Sequence, residues 1–137
     1  MSTLPSTGNK QLMRFIFTEL AQGNGRPFVD AMADNFCWIL TGQTAWSRRY
    51  EGKQVVREQL FKPLFAQFAG TYVNRATRFV AEDDMVVVEC RGEVTTHKGR
   101  SYNNQYCYVC RLADGKLVEL VEYLDTQLVD TALDAPA

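Results

Sequence analysis

The sequence contains a single histidine, His97, and no long hydrophobic run. No apolar stretch approaches the roughly 20 residues that a membrane-spanning helix needs, so we expect no membrane association. The cysteines Cys37, Cys90, Cys107 and Cys110 have only that histidine to help bind a metal, and the last two would point to opposite faces of a strand. We therefore predict reduced thiols, no metal ion and no cofactor.

An excess of charge of one sign is also missing. The formal net charge is −1, and the densest basic cluster, Arg48-Arg49, is followed by Glu51. Nucleic-acid binding needs a clustered basic surface, so we predict no nucleic-acid partner. Residues 1–8 lack the basic region and the apolar core of a secretory signal. Together with the reduced cysteines, this predicts a cytoplasmic protein.

Periodic apolar residues divide the chain into helices and then strands. We predict a flexible leader over residues 1–8, a single domain over 9–130 and a flexible tail over 131–137. The predicted helices are 9–23, a short one from Pro27, and a third from 53 to 68 that Pro63 interrupts without ending. A short strand covers 36–41, and longer strands cover 72–81, 85–96, 101–112 and 116–128. This order predicts an α+β fold in which three N-terminal helices pack on a curved, mostly antiparallel sheet.

Four short segments carry a resemblance to a known fold family. They are Ala33-Asp34-Asn35, predicted to end the second helix, Tyr50-Glu51-Gly52-Lys53, residues 99–103, and Asp114-Gly115-Lys116-Leu117 together with residues 122–125. Over residues 9–130 their order and spacing resemble the nuclear transport factor 2-like (NTF2-like) superfamily, the cystatin-like α+β cone. This group includes ketosteroid isomerase, limonene epoxide hydrolase and the SnoaL-like polyketide cyclases. The resemblance implies the fold, whereas the fold hosts enzymes, binding modules and structural subunits alike.

The last predicted hairpin suggests which residues face a cavity. Asp114-Gly115 is typical of a two-residue type I′ turn, and a regular ladder from that turn sets Cys107 opposite Glu122. One face then carries Asn103, Gln105, Cys107, Leu120, Glu122 and Leu124, and the other carries Tyr106, Tyr108, Val121 and Tyr123. The resemblance implies that one face lines a cavity while the other meets a second subunit. We therefore predict that the first face lines the cavity and that a homodimer forms through Tyr106, Tyr108 and Tyr123.

Glu122 is the candidate catalytic residue. A carboxylate within an apolar strand is costly to bury unless it is paired or performs chemistry. Arg91, between Glu89 and Glu93, has two interpretations: a solvated ladder of charges, or an arginine facing inward beside Glu122. We predict Arg91 as the charged neighbour of Glu122 and as the second candidate catalytic residue. The apolar cavity wall is assigned to Trp38, Leu40, Phe15, Met32 and Leu124, although these residues could equally form plain core.

The enzymes of the resembled superfamily make different demands on this sequence. A ketosteroid isomerase site is excluded, because no acid lies between residues 36 and 50 and its tyrosine and aspartate positions fall at Phe15 and Cys107. An epoxide hydrolase site is disfavoured, because its water-holding pair falls at Trp38 and Leu40. A SnoaL-like site needs one carboxylate, which Glu122 supplies. We predict a SnoaL-like domain that binds a small hydrophobic molecule. Two hypotheses for its function stay open: acid/base isomerisation, cyclisation or hydrolysis of that molecule, and a non-catalytic binding or assembly module.

Overall fold

A computed structural model describes residues 5–136. Its helices are α1 (Pro5–Leu20), α2 (Arg26–Asp30), α3 (Lys53–Val55), α4 (Lys62–Phe65) and α5 (Thr126–Ala132), with a π-helical segment (Val56–Phe61) between α3 and α4. Its strands are β1 (Met32–Leu40), β2 (Arg48–Glu51), β3 (Phe68–Glu82), β4 (Met85–Thr96), β5 (Gln105–Ala113) and β6 (Lys116–Leu124). They form one sheet in the order β2-β1-β6-β5-β4-β3, in which only β1 and β6 run parallel. The predicted α+β class is confirmed.

Helix α1 covers one face of the sheet because its apolar residues recur every three or four positions. Met13, Ile16 and Phe17 are buried, and the Phe17 ring packs against Tyr108 of β5 with 6.2 Å between ring centroids. Phe15 lies on the other side of the helix and is 55% exposed. Its predicted place in the cavity wall is therefore wrong. Among the described residues, no helix is both long and apolar enough to cross a membrane.

The third predicted helix is interrupted near Pro63, as the sequence indicated. Proline lacks a backbone N–H, and its ring clashes with the carbonyl four residues earlier, here that of Gln59. The π-helical segment Val56–Phe61 widens the helix directly before this proline. The chain remains helical as far as Phe65, and β3 begins at Phe68. The predicted interruption is confirmed, whereas the predicted extension to residue 68 is wrong.

Secondary structure and packing extend into both segments that were predicted to be flexible. Helix α1 begins at Pro5, so residues 5–8 of the predicted leader are helical, and the rest of that leader lies outside the described residues. Asp125 caps α5 by accepting hydrogen bonds from two backbone N–H groups. Beyond α5, Leu133 is buried and the Asp134 carbonyl accepts a 2.9 Å hydrogen bond from Trp46 Nε1. The predicted flexible tail is therefore docked as far as Asp134.

Several strand assignments also differ from the expectations. The strand predicted over 116–128 ends at Leu124, and α5 begins at Thr126. The strand predicted over 101–112 begins at Gln105. Ala33-Asp34-Asn35, predicted to end the second helix, belong to β1. The segment Arg48–Glu51 forms β2 and pairs with β1, although its sequence gave no strand signal. It was missed because four residues are too short for a periodic pattern to emerge.

A bulge in the β5–β6 hairpin changes which residues of β5 lie on the same face as Glu122. Asp114 and Gly115 have φ of 53° and 74°, as a type I′ turn requires, and Leu112 pairs with Leu117. The next pair is Arg111 with Glu119, so Val118 is an extra residue. Side chains along a strand point alternately to the two faces of the sheet. One inserted residue therefore shifts the pairing of every later residue of β6 by one position, so that each shares a face with the other set of β5 residues.

Candidate functional site

A cavity of about 610 Å³ lies between the sheet and the helical segments that cover it, namely α2, α3, the π-helical segment and α4. This volume is within the range of about 300–1,000 Å³ usual for small-molecule sites. Most of its wall is aromatic or aliphatic, including Phe28, Trp38, Leu40, Leu60, Phe61, Leu64, Phe68, Tyr72, Tyr102, Tyr106, Tyr108, Val129 and Leu133. Polar side chains on the sheet side, among them Asn74 and Glu122, interrupt this wall. The cavity is therefore suited to an apolar molecule with a few polar atoms.

Glu122 is buried in this wall, with 6% of its surface exposed. The parallel β1–β6 register sets Leu40 opposite Glu122, and Trp38 faces the same side two residues earlier. Trp38 Nε1 donates a 2.8 Å hydrogen bond to Glu122 Oε1. Burial raises the pKa of Glu122 to about 7, even though the Trp38 hydrogen bond acts in the opposite direction. At neutral pH this carboxyl group can therefore both accept and release a proton.

Tyrosine hydroxyl groups surround the same region. Tyr108 of β5 pairs directly with Glu122 of β6, and Tyr106 precedes it on the same face. The Tyr72 hydroxyl donates a 3.0 Å hydrogen bond to that of Tyr106. Burial raises the pKa of Tyr72, Tyr106 and Tyr108 well above the usual tyrosine value. These side chains therefore stay neutral, and Tyr106 and Tyr108 can donate their hydroxyl protons to a ligand, whereas Tyr72 donates its proton to Tyr106.

Asn74 organises these hydroxyl groups from β3, which β4 separates from β5. Its Nδ2 lies 3.4 Å from the Tyr72 hydroxyl and 3.5 Å from the Tyr108 hydroxyl. Its Oδ1 is buried, and no hydrogen-bond partner for it exists among the described residues. Gly92, opposite Asn74 on β4, makes room for this cluster, because a Cβ there would come within 2.6 Å of the Tyr72 hydroxyl. The site thus offers an unused acceptor beside several hydroxyl donors.

Arg91 is not part of the site. Cys90, Gly92 and Val94 face inward along β4, so Arg91 is exposed on the outer face of the sheet. Its neighbours on that face belong to ion pairs with β3, Glu89 with Arg78 at 2.7 Å and Glu93 with Arg75. The charged residues of β4 therefore form a ladder that is exposed to solvent. The prediction that Arg91 lies beside Glu122 is wrong.

The other predicted ligand-binding residues separate into three groups. Trp38 and Leu40 line the cavity with Glu122. Met32, Leu120 and Leu124 pack in or against the core but do not line the cavity. Asn103 and Gln105 are exposed and Cys107 is half-buried, all away from the cavity. The last group was misplaced because the regular ladder omitted the bulge at Val118.

The sequence reasoning missed the tyrosines that dominate the polar part of the wall. Tyr106 and Tyr108 were assigned to a dimer interface, whereas they are buried on the cavity side with 6% and 3% exposure. The signal that could have identified them is the alternation Tyr106-x-Tyr108-x-Cys110-x-Leu112, which is apolar enough to be core. Tyr72 and Asn74 gave no such signal, because β3 contains two irregularities in its pairing with β4.

The cysteines do not contribute reactive groups to the site. Cys37, Cys90, Cys107 and Cys110 are free thiols, and burial raises the pKa of each. A thiol with a raised pKa is a poor nucleophile at neutral pH. Within residues 5–136, no group of histidine, cysteine, aspartate and glutamate side chains is arranged to hold a metal ion.

Comparison with known proteins gives one family match. The model of a family described as the SnoaL-like domain matches residues 13–120. The match ends two residues before Glu122, so it does not include this carboxyl group. No match was found among curated proteins.

Several solved structures share the fold. A protein provisionally named a SnoaL-like polyketide cyclase, from Jannaschia sp. CCS1, is 21% identical, with 100% of this chain and 98% of that chain covered and a TM-score of 0.78. An NTF2-like protein of unknown function from Burkholderia pseudomallei is 18% identical, with coverages of 98% and 100% and a TM-score of 0.78. TerC, crystallised with polyporic acid, is 17% identical, with coverages of 91% and 97% and a TM-score of 0.74. At these identities the likeness establishes the cystatin-like, NTF2-like fold.

Proposed function

Since this chain belongs to the SnoaL-like domain family, we propose that its cavity binds a small, mostly apolar molecule and that Glu122 transfers a proton on that molecule. The observation that carries the proposal is a buried carboxyl group, held by Trp38 and facing a cavity of about 610 Å³. A carboxyl group with a pKa of about 7 is suited to general acid–base catalysis near neutral pH.

The reaction class that fits this site is enolisation of a carbonyl compound. Ionised Glu122 removes a proton from the carbon next to a carbonyl group, and the electron pair of that C–H bond moves onto the carbonyl oxygen. Neutral tyrosine hydroxyl groups such as Tyr106 and Tyr108 donate hydrogen bonds to the oxygen where negative charge develops. If the substrate has a carbon–carbon double bond next to the carbon that loses the proton, the product is a dienolate, and protonated Glu122 returns the proton at its far carbon, which completes an isomerisation. If the enolate carbon attacks a second carbonyl group of the same molecule, the product is a ring, and Glu122 protonates the new alkoxide.

The shape and polarity of the cavity suggest a flat substrate. The Trp38 ring lies 5.6 Å from the Tyr108 ring and 5.9 Å from the Phe28 ring, measured between centroids. Aromatic side chains at such distances form walls that favour planar, apolar molecules. The free Oδ1 of Asn74 adds an acceptor for a hydroxyl group of the substrate.

The experiment uses hydrogen–deuterium exchange at carbon. Planar aryl ketones and 1,3-diketones are incubated with the protein in D₂O, and loss of the α-proton NMR signal is followed. We expect Glu122→Gln, which keeps the shape and the Trp38 contact, to lower the exchange rate by about 10²–10⁴-fold, the usual contribution of a general base. Glu119→Gln is the matched control, because Glu119 is on the same strand but pairs with Arg111.

Two results would contradict this proposal in different ways. Full activity in Glu122→Gln would remove the catalytic role of that residue. Binding of the panel with no exchange in the wild-type protein would favour the alternative, a non-catalytic binding module.

We also propose that the chain forms a homodimer through the outer face of the sheet. The interface predicted from the sequence consisted of Tyr106, Tyr108 and Tyr123. Of these three, Tyr123 remains on the outer face, because the other two tyrosines face the cavity. Tyr123 is 51% exposed, and the partly buried Cys107, Val109 and Val121 accompany it on β5 and β6. Apolar surface of this kind on a sheet is commonly covered by a partner.

A further inference from the structure

Three basic residues line the cavity from the helical side: Arg26 at the start of α2, Lys53 at the start of α3 and Arg57 in the π-helical segment. Arg26 and Arg57 are also exposed to solvent. A residue that is exposed and also lines a cavity lies at its opening. The opening is therefore bordered by α2 and the π-helical segment, and also by Phe65, Gly70 and Thr71, which line the cavity and are exposed as well.

These three cations lack the ion pairs that similar residues make elsewhere. Six other basic side chains on the surface, those of Arg49, Arg75, Arg78, Lys98, Arg100 and Arg111, pair with carboxylates. In the part of the chain described by the structure, no carboxylate lies within salt-bridge distance of Arg26, Lys53 or Arg57. Arg57 has only a neutral contact, a 3.2 Å hydrogen bond from Nη1 to Gln54 Oε1. The opening thus carries positive charge that the protein itself does not neutralise.

The acids of the cavity do not offset this charge. Besides Glu122, Asp30 is the acid among the described residues that line the cavity, so three cations face two carboxyl groups. Because the pKa of Glu122 is about 7, part of its charge is absent at neutral pH. A ligand anion deep in the cavity would meet Glu122 and an apolar wall, whereas at the opening it would meet the cations.

We propose that the natural ligand is an apolar molecule with one acid group, and that Arg26, Lys53 and Arg57 hold this group at the opening. The inference rests on the proposed function and makes it more specific, since it fixes the orientation of the ligand. The apolar body enters first and brings the reacting carbon to Glu122, while the acid group stays partly solvated. A carboxylate is suited to arginine, which can donate two parallel hydrogen bonds to it.

The test compares two fluorescent probes of nearly identical shape: 8-anilinonaphthalene-1-sulfonate, which is anionic, and N-phenyl-1-naphthylamine, which is the same molecule without the sulfonate. The protein has two tryptophans, Trp38 and Trp46, and both line the cavity. Quenching of their emission by energy transfer therefore reports binding of either probe to the protein. Dissociation constants are measured for the wild-type protein, for Arg26→Gln/Arg57→Gln and for Arg91→Gln, which removes an exposed arginine from the outer face.

We expect the double variant to bind the sulfonate about tenfold more weakly and the neutral probe within about twofold of wild type, since a partly exposed charge pair contributes up to about fivefold in affinity. Arg91→Gln should bind both probes like the wild type. The sulfonate affinity of the wild type should fall with added salt, and that of the double variant should fall less.

Other outcomes overturn the inference and separate it from the proposed function. If the neutral probe binds but the double variant binds the sulfonate as tightly as the wild type does, the proposal that the cations hold an acid group of the ligand is wrong. The cavity then remains a candidate binding site. If Arg91→Gln weakens sulfonate binding as much as the double variant does, the loss reflects the net charge of the protein and not a site at the opening, and the inference is wrong. If neither probe quenches the tryptophans, both the inference and ligand binding in the cavity are wrong.

Discussion

The burial of Glu122 predicts an unusual dependence of stability on pH. In the folded protein the pKa of Glu122 is about 7, and its value without the fold is 4.5. Because folding raises this pKa, the folded state favours the protonated form. The contribution of Glu122 to stability is therefore fully present below pH 4.5 and is lost as the pH rises through about 7. Above that pH, the folded protein carries a buried charge that the unfolded chain would expose to water.

The magnitude follows from the two pKa values. At about 1.4 kcal/mol for each pH unit, the separation between 4.5 and 7 corresponds to about 3 kcal/mol. Glu122→Gln removes the titration but keeps an oxygen that can accept from Trp38 Nε1. Relative to the wild type, the variant should thus gain about 3 kcal/mol between pH 4 and pH 8. The gain is expected inside this window and should level off outside it.

Urea unfolding, followed by tryptophan fluorescence at five pH values from 4 to 8, measures the free energy of unfolding of both proteins. Other titrating groups affect both and cancel in the difference. Glu119→Gln is the control, because Glu119 is partly exposed and pairs with Arg111 at 3.0 Å; its difference from the wild type should not rise with pH. A difference between Glu122→Gln and the wild type that stays constant within about 1 kcal/mol would mean that Glu122 is solvated, and the reasoning about the site would fail.

Three further predictions concern single side chains. Trp38→Phe removes the donor that stabilises ionised Glu122, so the carboxyl pKa measured by NMR titration should rise above about 7; an unchanged pKa would mean that the 2.8 Å hydrogen bond is not formed. Gly92→Ala sets a Cβ within 2.6 Å of the Tyr72 hydroxyl and should cost about 1–3 kcal/mol in urea unfolding, whereas Gly99→Ala, where no atom lies within 4 Å, tests backbone strain alone. Tyr123→Glu should convert a dimer to a monomer in sedimentation at micromolar concentration, and a monomeric wild type would contradict the proposed interface.

Local signals in the sequence were sufficient for most elements of the fold. The strand β4 was predicted with the bounds Met85 and Thr96 that it has, because alternation over twelve residues between two turn signals leaves little freedom. The interruption near Pro63 followed from the covalent structure of proline. Glu122, too, could be singled out as a carboxyl group in a strand too apolar to be solvated throughout. Each of these conclusions depends on neighbours in the chain.

The partners of Glu122 were decided by the tertiary structure. The turn at Asp114-Gly115 was identified, but one extra residue at Val118 exchanged Cys107 for Tyr108 opposite Glu122. Such a bulge leaves no mark in the local pattern, since residues on either side of it alternate normally. The contact with Trp38 joins residues 84 positions apart in the chain. Sequence alone thus determined which carboxyl group was worth examining, whereas its surroundings and its raised pKa depend on strand register, and register is fixed only when the whole sheet packs beneath the helices.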